Sequence, residues 1–90
     1  MFDKIDIEEL KEKYSKELIE KLDIENVAKI FDYLHKNGIY FAKDIFMNDL
    51  PLFLLDEKEF FIKFEKLKNK LGSNYIIKLE ENSELLEEMY

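Results

Sequence analysis

The clearest structural signal in the chain lies in residues 56–72, which read DEKEFFIKFEKLKNKLG. Apolar residues recur there at spacings of three and four, the period of one helix face, at Phe60, Phe64, Leu67 and Leu71. Asp56 and Glu59 have the spacing of a capping box, which satisfies the free N–H groups of a first turn. Gly72 follows the last apolar position and is typical of a helix end. The segment therefore predicts a helix over residues 57–71.

A second helix is predicted upstream by the same kind of pattern. Asp23 is placed to cap its first turn, and Asn37-Gly38 is a C-terminal stop signal. The apolar face between them consists of Val27, Ile30, Phe31 and Leu34. A shorter helix is expected at residues 41–48, and Pro51 then allows at most one turn of helix, with the proline in its first position.

The N-terminal region carries a long apolar stripe, at Ile7, Leu10, Tyr14, Leu18 and Leu22. Asp6 and Glu9 repeat the capping-box spacing ahead of it. We therefore predict one continuous helix over residues 6–22. At the other end, residues 73–90 predict two short helices broken near Asn82-Ser83, and only Tyr75-Ile76-Ile77 has local strand character.

The two central patterns also resemble each other. The segment from Asp23 to Gly38 matches the segment from Asp56 to Gly72 at an offset of 33 residues, which slips by one before the glycines. Each segment is followed by a shorter helical piece. A period of about 20–50 residues is typical of helical repeat arrays, but any protein built from helical hairpins can produce such an echo. Both interpretations stay open from the sequence.

These patterns predict an all-α fold in a single helical domain, residues 1–90. The hydrophobic fraction is 47%, and the chain has 8 Phe and 5 Tyr, which is enough for a core. We expect a small helical bundle or a short stack of helical repeats, with five to six helices.

Three features resemble a known family of helical-repeat proteins. They are Gly38-Ile39, the run Pro51-Leu52-Phe53-Leu54-Leu55, and the helix from Glu57 closed by Leu71-Gly72. A proline followed by leucines, and then a long helix ending in Leu-Gly, is similar to the mitochondrial transcription termination factor family over residues 24–89. The resemblance implies a curved solenoid that binds nucleic acid through a basic concave face. The chain departs from that family because it is acidic, has no arginine, and lacks a second proline equivalent to Pro51 in its last stretch.

The residue inventory argues against catalysis. The chain has no cysteine and one histidine, His35, so neither a Cys-His pair nor a His-Cys metal set can form within it. His35 falls near the end of the second predicted helix, where an imidazolium interacts favourably with the helix dipole. No glycine-rich phosphate loop and no calcium-loop pattern occurs. We predict a protein that is not an enzyme and has no cofactor and no metal.

Net charge and hydropathy limit the kinds of partner and the cellular compartment that we expect. The net charge is −7, and every basic residue is a lysine. An acidic protein gains no long-range attraction to nucleic acid or anionic lipid, and lysine cannot supply the planar fork of arginine. The first residues are polar, and no apolar run is long enough to span a membrane. We expect a cytoplasmic protein with no membrane partner.

The most pronounced candidate binding feature is acidic. Five glutamates and no lysine occur between residues 80 and 88, at Glu80, Glu81, Glu84, Glu87 and Glu88. Carboxylates on rigid helices can imitate the phosphates of nucleic acid and dock onto a basic cleft, as small phage-encoded inhibitors do by analogy of size and charge. We predict a small protein-binding module, an adaptor or inhibitor that engages a basic surface of a partner protein. The other interpretation of this segment is a solvated tail.

A lysine ridge supports the alternative function of nucleic-acid binding. Lys63, Lys66 and Lys70 share one face of the helix predicted over residues 57–71, with Lys68 to one side. The ridge lacks arginine and neighbouring stacking aromatics, which makes a poor nucleic-acid site. Its other interpretation is a solvated face whose lysine stems cover the rim of the core.

Three apolar residues, Phe53, Phe61 and Ile62, fall outside the central stripes of their segments. If Phe61 and Ile62 are exposed, they mark a protein interface or a homodimer contact. If they are buried, they pack between two layers of helices.

Overall fold

The computed structural model of the chain describes residues 4–90, and the side chains of residues 7–90. Over that range it has six α-helices: α1 Lys4–Lys13, α2 Lys16–Glu20, α3 Ile24–Lys36, α4 Ala42–Asn48, α5 Glu57–Leu71 and α6 Tyr75–Glu81. Two 3₁₀ helices, Leu50–Leu54 and Ser83–Met89, follow α4 and α6. No strand occurs in residues 4–90, and Tyr75-Ile76-Ile77 begins α6. The predicted all-α fold is confirmed, with slightly more helical elements than the five to six expected.

The two long helices, α3 and α5, begin and end as their sequences predict. The Asp23 carboxylate accepts hydrogen bonds from two N–H groups of the first turn of α3, at 3.0 and 3.3 Å. The Asp56 carboxylate accepts one from the first turn of α5, at 3.1 Å. Gly38 and Gly72 follow the two helices with φ of +83° and +86°, a region that residues with a side chain rarely adopt. Because local chemistry sets both ends of α5, its predicted bounds are confirmed.

The 33-residue echo of the sequence is present in the order of the helices. α4 and α6 begin at residues 42 and 75, and the two 3₁₀ helices begin at residues 50 and 83, so each pair differs by 33. α5 is two residues longer than α3, but the loop that follows it is two residues shorter, which restores the offset. We name residues 23–55 the first unit and residues 56–90 the second unit. The chain therefore has two units of one helical order, preceded by α1 and α2.

The prediction of one continuous helix over residues 6–22 is wrong. Ser15 has an extended backbone, with φ −66° and ψ 152°, and its hydroxyl caps α2 by accepting a hydrogen bond from an N–H three residues on, at 3.2 Å. The turn lets the Tyr14 hydroxyl accept a hydrogen bond from the N–H of Leu50 at 3.4 Å. α1 begins at Lys4, ahead of the predicted start at residue 6. Of the predicted apolar stripe, only Leu10 is fully buried.

Phenylalanine rings from both units form the centre of the core. The ring of Phe53 in the first 3₁₀ helix lies 5.4, 5.0 and 5.8 Å, between centroids, from those of Phe31, Phe46 and Phe60. Phe53 is completely buried, although it falls outside the apolar stripes seen in the sequence. No polar or charged side chain among residues 7–90 is buried. The titratable groups of this part of the chain therefore lie at the surface or at the edge of the core.

One polar side chain, Asn26 on α3, joins the two units. Its amide N–H donates to the Leu55 carbonyl at 2.7 Å, and its Oδ1 accepts from the N–H of Glu57 at 2.8 Å. Because Glu57 is the first residue of α5, the second bond satisfies one of the free N–H groups of that helix. Helix periodicity does not single out Asn26, since its role depends on a contact 31 residues away in the chain.

Candidate partner-binding sites

The five predicted acidic residues are exposed, but the structure does not bring them to one site. Glu80 and Glu81 lie on α6, and Glu84, Glu87 and Glu88 lie on the second 3₁₀ helix. Glu80 lines a cleft beside α4, whereas Glu88 forms an ion pair with a lysine of α5. The acidic segment therefore contributes to two separate depressions in the surface.

The first depression, which we name the acidic cleft, has a volume of about 360 Å³ and is lined by residues of α4 and α6. Its charged residues are Asp44, Asp49 and Glu80, and no lysine among the described residues lines it. Tyr40 and Phe41 supply aromatic surface, with their rings edge to face and their centroids 5.2 Å apart. The cleft therefore combines three carboxylates with an aromatic face.

The Tyr40 side chain is available to a ligand, because 67% of it is exposed. Interaction of its hydroxyl with the Glu80 carboxylate is the main reason that the pKa of Tyr40 is raised above its usual value. A cationic side chain in the cleft would meet the carboxylates, and it would also meet the face of the Tyr40 ring, which attracts cations. The arrangement suits a lysine or arginine side chain of another protein.

The described residues contain no group of carboxylate and histidine side chains arranged to hold a metal ion. His35 lies near the end of α3, as predicted, and is exposed. Its ring packs edge-on against Phe31, with 6.3 Å between centroids, and not against any cluster of carboxylates.

The second depression, which we name the lysine cleft, has a volume of about 470 Å³. The structure brings the predicted Lys63, Lys66 and Lys70 together along it, and Tyr90 lines it as well. The interpretation that no aromatic lies near the ridge is wrong, because the second 3₁₀ helix carries Tyr90 back to α5. The Tyr90 side chain is 59% exposed, and its hydroxyl donates to Asp49 of the acidic cleft at 3.2 Å.

Carboxylates offset part of the positive charge of the lysine cleft. Lys70 Nζ lies 2.7 Å from Glu88 Oε1, so one of the predicted acidic residues neutralises one of the predicted basic residues. Lys63 Nζ lies 3.9 Å from Glu59 Oε1 on the preceding turn. No described residue forms an ion pair with Lys66. The cleft therefore presents less positive charge than its three lysines suggest.

The structure separates Phe61 from Ile62. The Phe61 ring is half-buried and stacks on Tyr33 of α3, with 4.2 Å between centroids and 23° between planes. Ile62 points away from this contact and is 59% exposed. The two residues do not form one apolar patch, and only Ile62 has the exposure that a protein contact at this place requires.

A polar network beside Phe61 joins α3 to α5. The Tyr33 hydroxyl donates to Glu65 Oε1 at 2.6 Å, and Lys68 Nζ donates to Asn37 Oδ1 at 2.9 Å and to Glu65 Oε1 at 3.4 Å. Burial, followed by the Glu65 carboxylate, raises the pKa of Tyr33. The same hydrogen bond lowers the pKa of Glu65. Since each polar atom in this network has a partner, its evident role is to hold the two helices together.

One apolar surface was not predicted from the sequence. A groove of about 490 Å³ lies among α1, α2, the start of α3 and α4, and only one of its lining residues is charged, Glu20. Two of its apolar residues are largely exposed, Ile7 at 45% and Ile24 at 83%. Periodicity placed Ile7 on a buried stripe, so the groove becomes visible only once the break at Ser15 is known.

The fold and these clefts define a small all-α domain with charged and apolar depressions on its surface. No model of a protein family matches the chain, and neither a curated protein nor a solved structure matches it. The resemblance to the mitochondrial transcription termination factor family stays a prediction. Among the described helices, none has the length and apolar character needed to cross a membrane.

Proposed function

We propose that the chain is a non-catalytic protein-binding module, an adaptor or inhibitor that engages a basic surface of a partner protein. The observation that carries this proposal is the acidic cleft. It holds three carboxylates and the exposed Tyr40 ring in about 360 Å³. No described lysine lines it, although Lys13 Nζ donates to the side chain of the lining residue Asn48 at 2.9 Å. A cleft of this chemistry favours insertion of a lysine or arginine side chain.

The charge of the whole chain supports the same function. A net charge of −7 attracts a basic partner over long range and accelerates association more than it tightens binding. Three more exposed glutamates lie close to Glu80 in the chain: Glu81 on α6, and Glu84 and Glu87 on the second 3₁₀ helix. They extend the negative potential beyond the cleft. The absence of cysteine fits the reducing cytoplasm, where we place the protein.

The first experiment is capture of partners from a nuclease-treated lysate of the native host, using the immobilised chain. The retained protein is then purified and its Kd is measured for three forms of the chain. We expect the variant D44N/E80Q to bind about tenfold more weakly than the wild type, and the difference to shrink at high salt because screening weakens exposed charge pairs.

The matched control is E9Q/E12Q, which removes the same charge from exposed positions of α1 outside the acidic cleft. We expect this control to lower the association rate slightly and to leave the dissociation rate unchanged. A Kd that is the same for D44N/E80Q and for the control would contradict the assignment of the acidic cleft.

Nucleic-acid binding at the lysine cleft is the second candidate function. The observation that favours it is the position of Tyr90 beside Lys63, Lys66 and Lys70, because single-stranded sites combine lysines with an aromatic on which a base can stack. Three phosphate contacts to a single strand predict a slope of about −2 for log K against log salt. Loss of one stacked base costs about 1–3 kcal/mol.

This second candidate is tested by fluorescence anisotropy with a labelled single-stranded DNA, over a series of salt concentrations. Binding that is lost in K63E/K66E/K70E, and weakened in Y90A, would support it. The control K11E/K21E/K58E makes the same charge change at exposed lysines outside the lysine cleft. Equal losses in the two triple variants would indicate only a response to net charge.

A further inference from the structure

The apolar groove among α1, α2, α3 and α4 has a volume of about 490 Å³, and Glu20 is its single charged lining residue. Leu10, Val27 and Phe46 are buried and form its base. The partly exposed Ile7 and Ile24 stand at its edge. Its volume lies within the range of about 300–1,000 Å³ that is typical of ligand sites. Because none of its lining residues lines the acidic cleft or the lysine cleft, it is a separate surface.

The groove is open because of how the N-terminal helices are built. The break at Ser15 separates α1 from α2, which has only five residues, Lys16–Glu20. Ile24, the first residue of α3, is 83% exposed, although burial of such a side chain is favourable. An isoleucine this exposed beside an apolar groove favours a contact with another molecule.

The charges around the groove favour a cationic occupant. Glu20 lies in its lining and forms an exposed ion pair with Lys16 at 3.7 Å. The exposed Ile24 is flanked in the chain by the exposed carboxylates of Asp23 and Glu25. Between Ile7 and Val27 the chain has seven carboxylates and four lysines, a net charge of −3. A second copy of the chain would bring a net charge of −7 against this surface, so self-association is opposed by like charge.

We propose that the groove binds an amphipathic helix of a partner protein, with apolar side chains in the groove and lysine or arginine side chains at its edge. Helices that dock into grooves present apolar residues at positions i, i+3 or i+4, and i+7. Two or three such side chains fill the groove, and cations on the flanks of the helix meet Glu20 and Glu25. This inference goes beyond the proposed function, since it concerns a different surface and holds whether or not the acidic cleft binds.

The test uses the full chain, labelled with ¹⁵N, and a synthetic helical peptide that carries leucine at positions 2, 5, 9 and 12 of about 14 and lysine elsewhere. We expect saturable chemical-shift changes at the amides around Ile7, Ile19 and Ile24. A scrambled peptide of the same composition should bind at least about fivefold more weakly, because it cannot present one apolar face.

Two variants locate the site. Ile24→Ser should weaken the peptide about fivefold or more, and because Ile24 is exposed the variant keeps its fold. Ile62→Ser is the matched control, since Ile62 is also exposed, at 59%, but lies on α5 away from the groove. We expect Ile62→Ser to bind like the wild type. Equal affinities of Ile24→Ser and the wild type would overturn the proposal.

Three other outcomes would overturn it as well. Equal binding of a peptide with glutamine in place of lysine would show that charge has no part in recognition. Equal binding of the scrambled peptide would indicate attraction to net charge alone. A concentration-dependent mass in sedimentation that disappears in Ile24→Ser would show that a second copy occupies the groove. The variant D44N/E80Q separates this inference from the proposed function, because it should retain most of its affinity for the peptide.

Discussion

In the first unit, the 3₁₀ helix after α4 reads LPLFL and buries Leu50, Leu52 and Phe53. In the second unit, the 3₁₀ helix after α6 reads SELLEEM and buries only Leu86 and Met89, while its three glutamates are exposed. One inward position agrees at the 33-residue offset, since Phe53 and Leu86 are both apolar and buried. The comparison indicates that the two units can keep one helical order with few shared inward residues. Outward positions of the second unit supply Glu80 to the acidic cleft and the lysines of the lysine cleft.

The short helices show the same relation. Phe46 of α4 and Leu79 of α6 are equivalent at the 33-residue offset, and both are buried. The next residue in each helix differs, because Met47 is buried in the first unit and Glu80 is exposed at the acidic cleft in the second. The first unit therefore supplies more of the core, and the second unit supplies more of the charged surface.

The largest effect is expected from removing the central ring of the first unit. Phe53→Ala should lower the free energy of unfolding by about 3–5 kcal/mol, because it leaves a cavity among Phe31, Phe46 and Phe60. Leu86→Ala, at the equivalent position, should cost about 2–3 kcal/mol. Urea denaturation followed by circular dichroism measures both. If Leu86→Ala lowers the free energy of unfolding as much as Phe53→Ala, the two units contribute equally to the core. That result would contradict the larger contribution of the first unit.

A smaller effect is expected at the junction of the two units. Asn26→Ala removes the hydrogen bonds to the Leu55 carbonyl and from the N–H of Glu57, and should cost about 1–3 kcal/mol. Asn69→Ala, at an exposed position of α5, is the control and should change stability by less than about 0.5 kcal/mol. The residue equivalent to Asn26 in the second unit is Glu59, which is exposed, so this junction exists once. An Asn26→Ala variant as stable as the control would show that the junction is not stabilising.

The contact between Tyr33 and Glu65 predicts a dependence of stability on pH. Because the pKa of Glu65 is lowered in the folded chain, its contribution is complete above the unfolded value of about 4.3 and is lost as the pH falls through the lowered pKa. Because the pKa of Tyr33 is raised, its contribution is complete below about pH 10 and is lost as the pH rises above that value.

Tyr33→Phe should therefore lower the free energy of unfolding by about 0.5–1.5 kcal/mol at pH 7, and by less below about pH 4 and above about pH 10. Tyr40→Phe is the control, since Tyr40 is exposed and its interaction with Glu80 lies at the surface, and it should have a smaller effect on unfolding than Tyr33→Phe. Urea titrations across this pH range measure the differences. A constant difference between Tyr33→Phe and the wild type would contradict the prediction.

The parts of the fold that could be predicted are those whose signals are local. α3 and α5 each have an aspartate cap, an apolar face and a glycine stop within one segment, and their bounds follow from those residues. Residues 6–22 have the periodicity but no decisive stop signal, and a serine in the middle of the stripe is enough to break the helix. Periodicity shows which residues share a face only if the helix is continuous. Because the helix breaks at Ser15, Ile7 lies at the surface and not in the predicted core.

The candidate sites could be predicted only in part, because they depend on contacts that are distant in the chain. The lysine face of α5 follows from helix geometry, but the arrival of Tyr90 and Glu88 beside it depends on the turn between α5 and α6. The sequence shows Glu80 only as one of five glutamates in the last segment. Tyr40 and Asp44, which line the acidic cleft with it, come from the first unit. The sequence shows which side chains carry charge, and the packing of the two units determines which of them meet.

The smallest effect on stability is expected at the ion pair of the lysine cleft, which joins α5 to the second 3₁₀ helix. Lys70 and Glu88 are 67% and 42% exposed, and such a surface pair contributes about 0–1 kcal/mol. Glu88→Gln should therefore change the free energy of unfolding by less than about 0.5 kcal/mol.

Glu88→Gln also releases Lys70, so single-stranded DNA should bind this variant more tightly than the wild type if the lysine cleft contacts phosphates. Glu81→Gln, the same charge change on α6 outside the lysine cleft, should have less effect on DNA binding. Glu88→Gln leaves the buried residues unchanged. A change in DNA binding without a change in the free energy of unfolding would therefore show that exposed residues of the second unit determine binding independently of the fold.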